Sequence, residues 1–185
     1  MLSRVTADQP VLRLANLEDV DSIDALMKAS ISAIFPHFYN EAQTAASVKY
    51  IGSVDRTLIE DGTYFVLDAD GEIVACGGWS RRDKLYTGSG EAAGDARLLE
   101  PETEPARVRA MFVRDDWTRR GLGTRILEAC ESAAQKEGFR KLALVATLPG
   151  VLLYERYGFL VGADTPVTMP DGTTVAAVSM EKPVK

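Results

Sequence analysis

Residues 106–123, ARVRAMFVRDDWTRRGLG, limit what this chain can fold into more than any other stretch. An alternating apolar run breaks into a polar, basic turn, and two glycines close that turn where a helical pattern begins. Val108, Ala110 and Phe112 recur at period two and would share one face, with Arg109, Met111 and Val113 on the other. That alternation predicts a strand ending at the charged residues Arg114, Asp115 and Asp116. From Leu122 onward Ile126, Cys130, Ala133 and Ala134 return at helical spacing, and Gly138 followed by Phe139 marks a glycine stop with its hydrophobic contact. Residues 142–146 are unbroken apolar, as expected of a strand covered on both faces. Strand, helix and strand in that order form a crossover whose two strands pair in parallel.

The rest of the chain fits around this unit. Residues 11–14 predict a short strand, and Asn16 before Leu17, Glu18 and Asp19 resembles a helix N-cap with acids in its first turn. The helix that follows would bury Val20, Ile23, Leu26, Met27, Ile31 and Ile34 and end at Pro36. Asn40 and Gln43 have the spacing of a capping box opening a second helix through about Tyr50. A third, short helix over 57–60 would stop at Asp61-Gly62. Residues 63–67 and 72–79 predict two strands joined at Asp70-Gly71, a hairpin turn signal. Residues 81–105, rich in Gly, Glu, Pro and Ser, predict a long surface excursion. Residues 151–157 predict a helix stopped by Gly158, and 159–162 and 174–180 predict strands around the turn Pro170-Asp171-Gly172. The sum is one mixed α/β sheet flanked by helices, in a single domain of 185 residues.

A formal net charge of -6 opposes nonspecific binding to nucleic acid or an anionic membrane surface. Cys76 and Cys130 sit on apolar patterns without metal spacing, which predicts reduced, buried thiols and a cytoplasmic protein. The opening residues MLSRVTADQP lack an apolar signal core, and no run approaches the roughly 18 apolar residues of a membrane span, so a soluble protein is expected. His37 is the only histidine, which excludes a multi-histidine metal site, and no Gly-x-Ser-x-Gly elbow is present.

The turn Arg119-Arg120-Gly121-Leu122-Gly123-Thr124 joins a strand to a helix N-terminus, where unpaired amides and the positive dipole end suit an anion. The competing reading is a tight turn with two solvated arginines. A dinucleotide fingerprint would need a small residue at Ile126, and a nucleoside-triphosphate loop would need Gly-Lys-Ser/Thr, which is absent.

Two motifs extend this reading. The run from Val113 through Gly123, with Ile126-Leu127 after it, resembles the acetyl-coenzyme A motif of the GCN5-related N-acetyltransferase (GNAT) family. Leu153-Tyr154-Glu155-Arg156-Tyr157-Gly158-Phe159 resembles that family's second motif. The resemblance implies a mixed, mostly antiparallel sheet whose central parallel strand pair splays around acetyl-coenzyme A. It implies that the coenzyme's pyrophosphate lies on the amides of Arg119, Arg120, Gly121, Leu122, Gly123 and Thr124, with Thr118 also at the cofactor. Its pantetheine would run along Met111, Phe112 and Val113 beside a bulge, and the thioester carbonyl would meet an amide near Phe112 or Val113. Thr147 stands where many relatives place an Asn near the cofactor. Asp115, Thr118 and Arg119 also depart from the commoner Pro, Gln or Arg, and Gly.

By the same resemblance Tyr154 is a general acid for the departing thiolate, the alternative being passive packing beside the sulfur. The activity implied is acetyl transfer to an amine of a small molecule or peptide, with no metal, and relatives often form homodimers. A noncatalytic acyl-coenzyme A binding or sensing module is the alternative. A general base would be Glu102, Glu104, a water chain, or none. His37, Phe38 and Tyr39 fall where the family borders its acceptor pocket, and Trp79 and Tyr86 could line it too. For His37 the competing reading is a surface or cap histidine, and for Trp79 a place in the core.

Overall fold

The computed structural model describes residues 9–85 and 97–185. Strand β1 (Val11–Leu14) leads into a helical segment opened by Asn16, whose side chain accepts from the Glu18 amide at 2.9 Å while Asp19 accepts from the Asn16 amide at 2.8 Å. Helix α1 (Val20–Ile34) follows and buries Val20, Ile23, Leu26, Met27 and Ile31. Pro36 closes it. Asn40 and Gln43 cap α2 (Glu41–Tyr50) reciprocally, and Asp55 caps α3 (Arg56–Glu60) through the Thr57 amide. Strands β2 (Tyr64–Ala69) and β3 (Glu72–Ser80) form the predicted hairpin, with Asp70 and Gly71 at φ 53 and 88 as its turn demands.

Next come β4 (Ala106–Val113), α4 (Leu122–Lys136), β5 (Lys141–Thr147) and α5 (Val151–Tyr157). Four strands complete the chain: β6 (Leu160–Asp164), β7 (Val167–Thr168), β8 (Thr174–Val175) and β9 (Ala177–Pro183). The main sheet has the order β1-β2-β3-β4-β5-β9-β6, and among its described strands only β4 and β5 pair in parallel. On one face α4 and α5 bury Ile126, Leu127, Cys130 and Tyr154 against Val74, Val108 and Leu142. On the other, α1 and α3 cover Tyr64, Val66 and Cys76. A third cluster packs Ile31, Phe35 and Tyr39 against Val167, Val175 and Ala177. No helix among the described residues is long and apolar enough to cross a membrane.

Two expectations are corrected. First, β4 does not alternate strictly. Cys76 pairs with Phe112 and Gly78 with Arg109, so Ala110 and Met111 both lie across from Gly77, and Ala110 takes a left-handed φ of 52. This bulge reverses the facing of every later residue. Val108 shares its face with Met111 and Val113 against α4, while Ala110 and Phe112 turn to the α1 side. The Tyr64 hydroxyl donates to the Ala110 carbonyl at 2.7 Å, and a Cβ on Gly77 would collide with Met111 Sδ. Hydropathy carries no mark of an extra residue in a ladder.

The described ends of 81–105 lie outside any helix or strand and are anchored to the domain. Arg82 bridges Leu98, Leu99 is buried in the core, and Asp83 joins Arg97 and Arg107 at 2.7 and 2.9 Å. Tyr86 lies outside the described residues. Second, residues 174–180 are not one strand. Thr174 and Val175 pair with β7 in a separate ribbon, and β9 starts at Ala177 between β5 and β6.

The bulge makes residue 110 a sensitive position. Ala110→Gly should leave stability within about 1 kcal/mol of the parent, since relief of the left-handed strain offsets the added chain entropy. Ala110→Val should lose about 2 kcal/mol or more, because a β-branched residue resists positive φ. Urea unfolding measures both, and equal losses would refute a left-handed residue 110.

Candidate functional site

The parallel ladder between β4 and β5 stops after two pairs, Ala106 with Leu142 and Arg107 with Ala143. Beyond them the strands separate into a cleft of about 960 Å³, bounded by β4, β5, the start of α4, α5 and the C-terminal part of α1. The β4 edge is chemically available there. The Arg114 amide donates to Val74 at 2.9 Å, and in an antiparallel ladder alternate residues turn their amides to opposite sides. Val113 therefore directs its amide away from β3 into the opening, while its carbonyl accepts Ser30 Oγ at 2.9 Å. By the same alternation Phe112 faces β3. Of the Phe112 and Val113 amides, that of Val113 is the one turned to the opening.

At one end of the cleft lies the basic turn. Arg119 and Gly121 both take left-handed φ, 61 and 78, and Gly121 stands at the N-cap of α4 with no side chain capping the helix. The first turn of α4 holds no acid, so its free amides and positive dipole end face the cleft with nothing of opposite sign from the helix itself. Thr118, Arg119, Gly121, Leu122, Gly123 and Thr124 line this end. Gly123 has a second task. A Cβ there would stand 2.7 Å from Leu153 Cδ2, so its missing side chain lets α5 close against α4. Arg120 does not line the cleft; it stacks over Trp117 at 4.6 Å and donates to the Asp116 carbonyl at 3.1 Å.

Tyr154 comes from α5 to the floor of the opening. Its ring packs edge-on against Phe159 with centroids 5.7 Å apart, and a Cβ on Gly150 would meet Tyr154 Cε2 at 2.8 Å, so both sides of the ring are held. Burial, with the nearby Cys130 thiol adding to it, pushes the phenol well above its ordinary value. Met111, Phe112, Val113 and Thr147 also line the cleft, as does the exposed His37 at the far end.

Several sequence candidates lie elsewhere. Tyr39 is buried among Phe35 and Ile31, and its hydroxyl is fully engaged, donating to the Ala176 carbonyl at 2.7 Å and accepting from the Leu148 amide at 2.9 Å. It fastens the α1–α2 corner to the end of β5. Trp79 is 1% exposed and packs edge-on against Phe139, so it belongs to the core. Neither Glu102 nor Glu104 reaches the cleft. Glu104 is clasped by Arg97 at 2.9 Å, which pulls its carboxyl down to about 2, too weak a base to take a proton from an ammonium.

Sequence reasoning missed Ser30, Arg109 and Asp55. Arg109, 2% exposed, lines the cleft beside Asp55 at 3.4 Å, and Lys84 reaches the same carboxylate at 3.1 Å. Burial pushes the Asp55 carboxyl up, but Arg109 and Lys84 together hold it below its usual range. An arginine inside an apolar alternation was the available signal.

A model described as the acetyltransferase (GNAT) family matches residues 27–159, a span that holds β4, the basic turn, α4, β5 and α5. The chain belongs to the acetyltransferase (GNAT) family. Among solved structures, a GCN5-related N-acetyltransferase from Rhodopseudomonas palustris is 20% identical, covers 96% of this chain and 98% of its own, and has a TM-score of 0.72. PaiA N-acetyltransferase from Thermoplasma acidophilum, in complex with coenzyme A, is 15% identical over 94% of this chain and 98% of its own, with a TM-score of 0.63. N-acetylglutamate synthase from Neisseria gonorrhoeae, complexed with coenzyme A and N-acetyl-glutamate, is 16% identical at a TM-score of 0.59 and matches over 95% of this chain but 35% of its own. At these identities the likeness is one of fold. No curated protein matches significantly.

The Asp55 carboxylate should matter most near neutrality. Its folded value lies below the unfolded one, so its contribution is present above about pH 4 and fades as pH falls through the folded value. Asp55→Asn should destabilise by about 2–3 kcal/mol at pH 7, with Arg109 left buried beside a neutral partner. The gap to the parent should narrow at pH 3, read by urea unfolding at both pH values. A gap independent of pH would contradict a charged Asp55.

Proposed function

We propose that the protein is an N-acetyltransferase that moves an acetyl group from acetyl-coenzyme A to an amine by direct attack. The observation that carries this reading is the continuity of one cleft, from the uncapped start of α4, along the unpaired β4 edge at Val113, to Tyr154. The residues present fit the cosubstrate. The amides of residues 121–124 suit its pyrophosphate, and Arg119 adds positive charge. The Val113 amide suits an acyl carbonyl, where it would stabilise the negative charge that builds on oxygen during attack. Thr118, Thr147, Met111 and Phe112 complete the wall. Family membership and the coenzyme A complexes of two fold neighbours support the same assignment.

Acetyl-coenzyme A supplies an acyl group already activated as a thioester. A carbon–nitrogen bond forms to the amine and the carbon–sulfur bond breaks. The amine gives up its proton to solvent, and Tyr154 passes its proton to the departing thiolate, recovering it from water afterwards. The raised phenol keeps Tyr154 protonated at any physiological pH. A thiol of ordinary pKa about 8.5 is a weaker base than this phenolate, but the same burial raises the thiol's value in parallel, which narrows the gap. His37 and Phe38 stand at the acceptor end.

Calorimetric titration with acetyl-coenzyme A should give saturable binding to the parent and none to Gly121→Asp, which combines a negative charge with a backbone that side chains resist. Equal affinity in the two would refute the anion site.

For Tyr154→Phe, turnover in a thiol-release assay should fall roughly hundredfold while acetyl-coenzyme A affinity stays put. In the parent, kcat should hold with rising pH up to about 10, since a phenol raised above its ordinary 10.0 loses its proton only beyond that point. A drop between pH 8 and 9 would remove Tyr154 from the acid role. Thiol release above hydrolysis for any amine also separates an enzyme from a module that only binds the coenzyme.

A further inference from the structure

The cleft has two chemically different ends. The end at α4 is polar and cationic. The opposite end, beyond the β4 splay, is walled by Met27, Ile34, Phe35, Phe38, Ile51 and Val167. Met27, Phe35 and Val167 are almost wholly buried, while Phe38 is 48% exposed and forms the rim.

Charge divides the cleft in the same way. Asp115 is the one carboxylate among the described lining residues, and it belongs to the polar end, where its carbonyl accepts Thr118 Oγ1. At the apolar end the charged side chains among the described lining residues are basic: Arg109, already facing Asp55, and His37 at the surface. A cation seated here would lose hydration without meeting a carboxylate among the described lining residues. One amine nitrogen has an exit, since it must shed its proton before it attacks. A second ammonium has none.

We infer that the acceptor is a small primary amine with an apolar or aromatic body and no second positive charge, and that polyamines and other polycations are poor substrates. This rests on the acetyltransferase reading above. The apolar wall takes the body of the amine at about 25 cal/mol for each Å² removed from water, and the bare nitrogen is left at the splay beside Val113 and Tyr154. The protein's net negative charge attracts cations at long range, but selection takes place within the cleft, where the local lining decides.

The test uses a matched pair, hexylamine and 1,6-diaminohexane, with phenethylamine and spermidine as a second pair. Acetyl-coenzyme A binding is first established by calorimetry, so failure of the cofactor assignment would appear there and nowhere else. With the coenzyme bound, kcat/KM from thiol release should favour hexylamine over 1,6-diaminohexane by about tenfold or more, with phenethylamine likewise above spermidine. Phe38→Asp, a change at a half-exposed rim position that the fold should tolerate, should raise the diamine-to-monoamine ratio by about threefold. Equal or better rates with the diamine, or no thiol release from either monoamine while acetyl-coenzyme A is bound, would overturn the inference.

Discussion

The bulge at Ala110 and Met111 is the constraint on which the rest of this structure depends. One extra residue in β4 bends the strand and increases its local twist, and the parallel ladder to β5 is lost just before it, at Arg107. The distortion is strained at one residue and held from two sides. Ala110 sits in a left-handed conformation that an L residue enters at a cost of about 1–2 kcal/mol, the Tyr64 hydroxyl grips its carbonyl, and Gly77 leaves the space that Met111 occupies. Without the bulge the β4 amides beyond Arg107 would continue the ladder to β5. With it, the Val113 amide opens onto a cleft and Ser30 from α1 meets the adjacent carbonyl.

The same distortion sets the relation between the sheet and its helices. Because facing reverses at residue 110, Met111 and Val113 pack toward α4, and α4 presents its uncapped N-terminus at the mouth of the gap they leave. Gly123 lets α5 approach closely enough for Tyr154 to reach the floor of the opening. Two glycines two positions apart thus act differently. Gly121 serves the backbone conformation of the turn, and Gly123 serves the contact between helices.

Much of this was legible in the sequence. The strand, turn and helix around Gly121, the N-cap at Asn16, the capping box at Asn40, the Asp70-Gly71 hairpin and the α5 stop at Gly158 all depend on local chemistry, and each stands where its residues indicate. What escaped was set by partners distant in sequence. The side-facing of Ala110 and Phe112 depends on Gly77 and Tyr64, and the burial of Leu99 on a core formed by α4 and β3. Tyr39 and Trp79 were plausible pocket residues by type and position, yet their places follow from Leu148, Ala176 and Phe139, which no local pattern connects to them. Arg109 and Asp55 join across 54 residues of chain. Charge spacing within one element cannot reveal such a pair.

Burial links the two protons of the proposed reaction. A phenol deep in apolar packing holds its proton tightly, which makes Tyr154 dependable as a donor but weak as an acid. It can act only if the thiolate it serves is equally deprived of water, so that the thiolate becomes a stronger base in the same surroundings. The acceptor end imposes the matching condition on the nucleophile. An ammonium that enters an apolar wall without a carboxylate is driven toward its neutral, attacking form, and the proton is lost to solvent without a dedicated base. The absence of Glu102 and Glu104 from the cleft therefore leaves no gap in the scheme. In the proposed reaction, low polarity at the acceptor end would do the work of a base, at the expense of acceptors that bring a second charge.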